Sequence, residues 1–165
     1  MSLRFLPDAF VVLRNHKTGA VQVIPGRNIV TDQGDLWYAQ SACGESPTVA
    51  MANLYLATGG PATPAKDDDY SDFSGVTGEK AKTATYPKTN DGDADNTGAG
   101  IDVVSWKFEY ATSDGPYVDV THSFISVASA TGTDPILNSY KWAAAWSKDA
   151  STSAKVFVNH TMNGT

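Results

Sequence analysis

A chain of 165 residues fits one domain large enough to bury its own core, and 12 basic against 18 acidic side chains leave a net charge of −6. With its basic residues scattered, the chain offers no basic face for phosphate contacts, which argues against a nucleic-acid partner. The lone cysteine, Cys43, excludes an internal disulfide, and no sustained apolar run predicts a leader peptide or a membrane span.

In chain order, residues 9–14 (AFVVLR) predict a strand, 15–19 a Gly-containing turn and 20–24 (AVQVI) a second strand, which together make a hairpin. Thr31 then has the character of a helix N-cap, with Asp32 and Asp35 near the positive end of the helix dipole and Gly44 just past the C-terminus. Leu36, Ala39 and Cys43 are expected on the apolar face of this helix, flanked by Trp37 and Tyr38. Residues 51–57 predict another strand.

From 59 to 100 the chain is rich in Asp, Thr, Gly, Lys and Ala and poor in large apolar residues. A connection this long is unusual in a compact domain. It is expected to hold a short strand near 82–86 and a turn of helix near 69–73, or to extend as an arm. The last third alternates with period two. Val104, Trp106, Phe108 and Tyr110 share one face of a strand, and Val118, Val120, His122 and Phe124 share one face of the next. Tyr140, Trp142, Ala144 and Trp146 repeat the pattern, as do Val156, Val158, His160 and Met162. The expected fold is one mainly β domain over 1–165: an antiparallel β-sandwich or jelly-roll-like barrel of about eight strands with one short helix.

Little in the sequence points to catalysis. His16 falls in a turn, while His122 and His160 fall in apolar registers, where a buried, hydrogen-bonded histidine is the plain reading and a paired site across neighbouring strands the sharper one. Cys43 on an apolar helical face reads as packing. No nucleophile-elbow, phosphate-loop, dinucleotide or metalloprotease pattern occurs, so no catalytic residue and no cofactor is expected. The stretch DGDADNTGAGID places Asp91, Asp93, Asp95 and Asp102 at positions 1, 3, 5 and 12 of a calcium-loop pattern. Gly98 stands where that pattern wants an apolar residue, and Asp102 is shorter than the usual Glu. The reading is therefore a polar loop with no metal, whose crowded carboxylates either splay into water or recruit a cation. Trp106, Trp142 and Trp146 are read as core, with a sugar-stacking face as the minor alternative.

The order of these segments resembles a broad group of small structural proteins of tailed-bacteriophage particles, found among head decoration and tail-associated components. The resemblance rests on Asn28-x-Val30-Thr31-x-x-Gly34 after a leading hairpin, Leu54-Tyr55-Leu56-Ala57-Thr58-Gly59 followed by Pro61-Ala62-Thr63-Pro64-Ala65, then Val104-x-Trp106-x-Phe108 and the closing strand around Val156 to Thr161. It implies a non-enzymatic particle protein, first of all a capsid decoration (cement) protein that binds and stabilises the assembled head. Its implied partners are the major capsid protein or other particle subunits, with self-association in a symmetric assembly, and its place is the virion assembled in the host cytoplasm. A tail or baseplate component, including a receptor binder, and a carbohydrate-binding module remain as alternatives. Phe5, Leu6 and Phe10, around Pro7, are the expected docking residues, with ordinary core at the start of the first strand as their other reading.

Overall fold

The computed structural model describes residues 8–162. The strands are β1 (Ala9–Asn15), β2 (Val21–Val30), β3 (Asn53–Ala57), β4 (Thr77–Ala81), β5 (Lys88–Thr89), β6 (Val103–Tyr110), β7 (Tyr117–Ser126), β8 (Ile136–Lys148) and β9 (Thr152–Thr161). One α-helix, α1 (Asp32–Ala42), follows β2, and a short 3-10 turn spans Tyr70–Asp72. The fold is mainly β and antiparallel, as expected, with nine strands in one sheet of order β4-β3-β7-β8-β2-β1-β9-β6-β5.

The sheet curls into a half-barrel whose two ends approach each other. Tyr110 Oη on β6 donates to the Gly78 carbonyl of β4 (2.7 Å), and just beyond β4 the Thr83 amide donates to the Lys107 carbonyl of β6 (2.8 Å). The curl turns Val11, Leu13, Leu54, Leu56, Trp106, Phe108, Trp142, Trp146, Val156 and Val158 into a single inner core. Trp106, Trp142 and Trp146 are buried there, so none of the three presents a ring face for a sugar.

α1 closes one end of the curl, and the Asn28-x-Val30-Thr31-x-x-Gly34 motif explains how. Thr31 Oγ1 accepts from the Gly34 amide (3.1 Å) and donates to the Ile136 carbonyl, while the Thr31 amide donates to Leu137 (3.1 Å). Asn138 donates to the Asn28 side chain (2.9 Å). A Cβ on Gly34 would sit 1.9 Å from the Leu137 carbonyl oxygen, so only glycine lets the helix lie this close to β8. The buried side of the helix follows from this approach: Gly34 meets the strand, and Trp37 and Tyr38, one turn on, pack on the core. The expected face is thereby corrected, because Leu36 is 46% exposed and Cys43 is exposed at the C-cap.

Two further registers differ from expectation. Val120 pairs with Trp146 but His122 pairs with Lys141, so β8 bulges through the exposed Ala143, Ala144 and Ala145. The bulge moves His122 and Phe124 to the outer face, opposite Val120, and leaves Val118 and Ala144 exposed. Strand β4 forms at Thr77–Ala81, just before the expected 82–86, and the helical turn forms where it was expected, at Tyr70–Asp72.

Candidate functional site

The polar connection folds back over the outside of the curled sheet as two straps. Residues 59–76 cover β3 and β7. There Tyr55, Ala57 and Phe124 face outward, and Phe73 lies over Phe124 with ring centroids 4.4 Å apart. Tyr70 meets the Phe124 ring edge-on at 5.5 Å. Asp69 caps the 3-10 turn by accepting from the Ser71 amide (2.7 Å), and the Asp69 amide donates to Asp72 (2.8 Å).

Residues 90–102 cross the outer face of β6, β9 and β1, and this is where the aspartate alternation finds its meaning. Asp91 accepts from the Asp93 amide (3.2 Å), Asp93 from the Asp95 amide (3.0 Å), and Asn96 from the Gly98 amide (3.2 Å). An acidic or amide side chain capping the N–H two residues on gives the same spacing as a calcium loop. The sheet itself supplies the cations. Lys107 pairs with Asp93 (2.9 Å), Lys155 with Asp95 (2.8 Å) and Asp93 (3.4 Å), Arg14 with Asp95 (3.5 Å) and Lys88 with Asp91 (3.2 Å). Of the two outcomes that crowded carboxylates allow, the loop takes the second, with side-chain ammonium and guanidinium groups as the recruited cations.

Asp91 is buried, and its carboxylate accepts from Tyr86 Oη (2.7 Å) and from Asn96 (2.9 Å). Burial alone pushes its pKa up, but Asn96, Tyr86, the Asp93 amide and Lys88 outweigh burial and bring it down to about 2. Asn96 and Asn159 exchange hydrogen bonds at 3.2 and 2.9 Å, and Ser105 donates to Asn159 (2.7 Å). Asp102 stands apart from the cluster: its side chain is exposed and its carbonyl accepts from Met162 (2.8 Å). Among the described residues, no group of three His, Cys, Asp or Glu side chains is arranged to hold a metal ion.

The strap crosses directly over Phe157. That ring is flanked on its own strand by Lys155 and Asn159 and across the ladder by Lys107 and Phe10, and three of these four contact the loop. Phe10 stacks on Phe157 with centroids 5.2 Å apart and is only 1% exposed. Of the three expected docking residues, Phe10 thus sits inside the fold, and Phe5 and Leu6 lie outside the described residues.

The histidines do not meet. His122 on β7 and His160 on β9 are separated in the sheet by β8, β2 and β1. His122 Nε2 bonds the Pro61 carbonyl (3.0 Å) and Nδ1 bonds Thr121 (2.8 Å); burial lowers its pKa. His160 is buried against α1, where its Nδ1 lies 2.5 Å from Tyr38 Oη, and burial lowers its pKa to about 3. His16 Nε2 bonds Ser153 Oγ (2.8 Å) near the outer rim.

The feature that sequence patterning missed is an apolar surface at the helix end. Trp37, Tyr38, Ala42, Pro87, Val104 and Met162 line an open groove of about 430 Å³. Met162 is 51% exposed, and Ile101, next to the Asp102 that bonds it, is 83% exposed. These residues come from four separate segments, so no local periodicity signals the patch. No protein family, no curated protein and no solved structure matches this chain.

Proposed function

We propose that this chain is a non-enzymatic structural subunit of a tailed-phage particle, and specifically a decoration protein that binds the assembled head. The observation that carries the reading is the exposed apolar groove of Trp37, Pro87, Val104 and Met162, with Ile101 beside it. Exposed apolar surface of this kind marks a site of protein association. The groove sits on a rigid frame, because α1 is pinned to β8 through Thr31 and Gly34, and Trp106 donates to Tyr38 Oη from below (2.8 Å). A subunit that binds the assembled shell and not its separated parts stabilises that shell by mass action.

The resemblance in segment order supports the particle, and the groove supports the contact. Met162→Asp together with Ile101→Asp should leave the fold intact, since both side chains are exposed, and should abolish binding to heads. Co-sedimentation of purified protein with heads lacking it tests this. Undiminished binding of the double variant overturns the groove as the contact, and failure of the unaltered protein to bind heads overturns the reading itself.

A further inference from the structure

We infer that the pocket between the 59–76 strap and strands β2 and β8 binds a carboxylate, held between Arg27 and Lys141. The two residues are direct ladder partners on β2 and β8. Their neighbours Gly26 and Trp142 pair on the inner side, with Trp142 in the core, so alternation turns both cations to the outer face. There they line a cavity of about 340 Å³ together with Ala62, Thr63, Pro64 and Ala143.

Like charges directly opposite each other destabilise a sheet, so this pair calls for a counter-ion. The chain does not supply one. Arg14, Lys66, Lys80, Lys88, Lys107 and Lys155 each have a carboxylate oxygen at 3.5 Å or less. Arg27 and Lys141 form no ion pair among the described residues, and residues 1–7 and 163–165 contain no Asp or Glu. Two acids lie nearby, and neither neutralises the pair. Continuing the β1–β2 register puts Asp8 beside Arg27, yet burial raises the Asp8 pKa with no cation to offset it. Asp68, whose charge reaches His122, accepts from the Ala65 amide (2.9 Å).

The wall opposite the cations is fixed in place. His122 continues the same row, as the ladder partner of Lys141 on β7. Its Nε2 donates to the Pro61 carbonyl (3.0 Å), and its Nδ1 accepts from Thr121 Oγ1 (2.8 Å). A Cβ on Gly60 would lie 2.9 Å from the rings of His122 and Phe73, so glycine brings the strap down onto the sheet here. Lys141 Nζ reaches across to the Ala62 carbonyl (3.3 Å) and keeps two further N–H donors. The pocket therefore has a set shape, with two cations on one side and Thr63 and Pro64 on the other.

A carboxylate fits this chemistry. It is planar and accepts two parallel N–H bonds from a guanidinium, which leaves its outer lone pairs for an ammonium and a hydroxyl. Ladder partners stand about 5 Å apart at Cβ, close enough for one carboxylate to bridge both cations. Ala62, Pro64 and Ala143 give the pocket apolar walls, and its volume reaches that of small-ligand sites, so the carboxylate arrives on a larger body. That body is either a small organic acid or the Asp or Glu side chain of a partner protein. The site is independent of the particle reading and of the groove at the helix end.

An NMR titration of the full chain tests it, following the Arg27 Nε–H, the Lys141 Hε protons and the His122 ring at constant ionic strength made up with chloride. The probes are sodium glucuronate, acetyl-Ala-Asp-Ala-amide and inorganic phosphate. Both carboxylates should give saturable shifts at the three residues with midpoints of about 1–10 mM. Lys17, an exposed lysine without an ion pair among the described residues, should only drift. Arg27→Gln and Lys141→Gln, at exposed positions that leave the fold intact, should each weaken binding about tenfold or more. Tighter binding of glucuronate assigns the site to a small acid, tighter binding of the peptide to a partner's side chain, and equal midpoints to the carboxylate alone. Four results overturn the inference: no saturation by about 100 mM, midpoints unchanged in both variants, equal saturation at Lys17, or phosphate binding more tightly than either carboxylate.

Discussion

The two straps over the outer face do the same job with opposite chemistry. The 59–76 strap is anchored by Phe73 and Tyr70 on Phe124, and its Asp68, Asp69 and Asp72 side chains accept from amides of the strap itself. The 90–102 strap has no large buried apolar side chain and is held by Asp91, Asp93, Asp95 and Asn96. The first therefore draws its hold from burial, which salt and acid leave largely alone; the second draws it from charge and amide hydrogen bonds, which both conditions attack. A polar connection is thus not by itself an arm or a ligand site. Its composition shows which force fastens it.

The sharpest break in this comparison comes from the apolar side. Phe73→Ala should cost about 3 kcal/mol in urea unfolding and cost the same at low and high salt. Asn96→Ala should cost about 2 kcal/mol, because it leaves Asp91, Ser105 and Asn159 short of a partner in a buried network. Equal salt dependence of these two losses would erase the distinction between the straps.

Acid separates them next. The folded Asp91 carboxyl lies at about 2, below its ordinary 3.8, so its contribution is complete above about pH 4 and is lost as pH falls through 2. That contribution amounts to about 2 kcal/mol. Stability measured from pH 5 down to pH 2 should fall less steeply in Asp91→Asn than in the unaltered protein. Amide exchange should show the 90–102 strap opening before the Tyr70–Asp72 turn. The smallest effect is expected at the rim. Lys155→Met should cost about 1 kcal/mol or less, and Lys107→Met more, since Lys107 and Asp93 are far better shielded from water than Lys155.

Much of the frame was legible in the residues. The hairpin of β1 and β2 and the Val104 to Tyr110 alternation are local period-two signals, and Thr31 is a local cap. The failures share a cause, which is that contact overrode period. Gly34 is a poor helix former, yet its missing Cβ sets which face of α1 meets β8 and sends Leu36 and Cys43 outward. The bulge at Ala143–Ala145 carries no marker in the sequence, so the face change between Val120 and His122 could not be read from alternation. The Asp91 to Asp95 run was legible as an acidic loop but not as one neutralised by Lys107, Lys155 and Arg14, which arrive from β6, β9 and β1. The apolar groove was hidden for the same reason: its walls come from segments scattered from Trp37 to Met162.

Counting copies of this chain in purified virions tests most directly whether it is part of a particle shell. A decoration protein that follows the symmetry of a head should be present on the order of hundreds of copies per particle. A count of about a dozen or fewer would contradict the head assignment in favour of the tail, and particles that contain none would contradict the particle reading altogether.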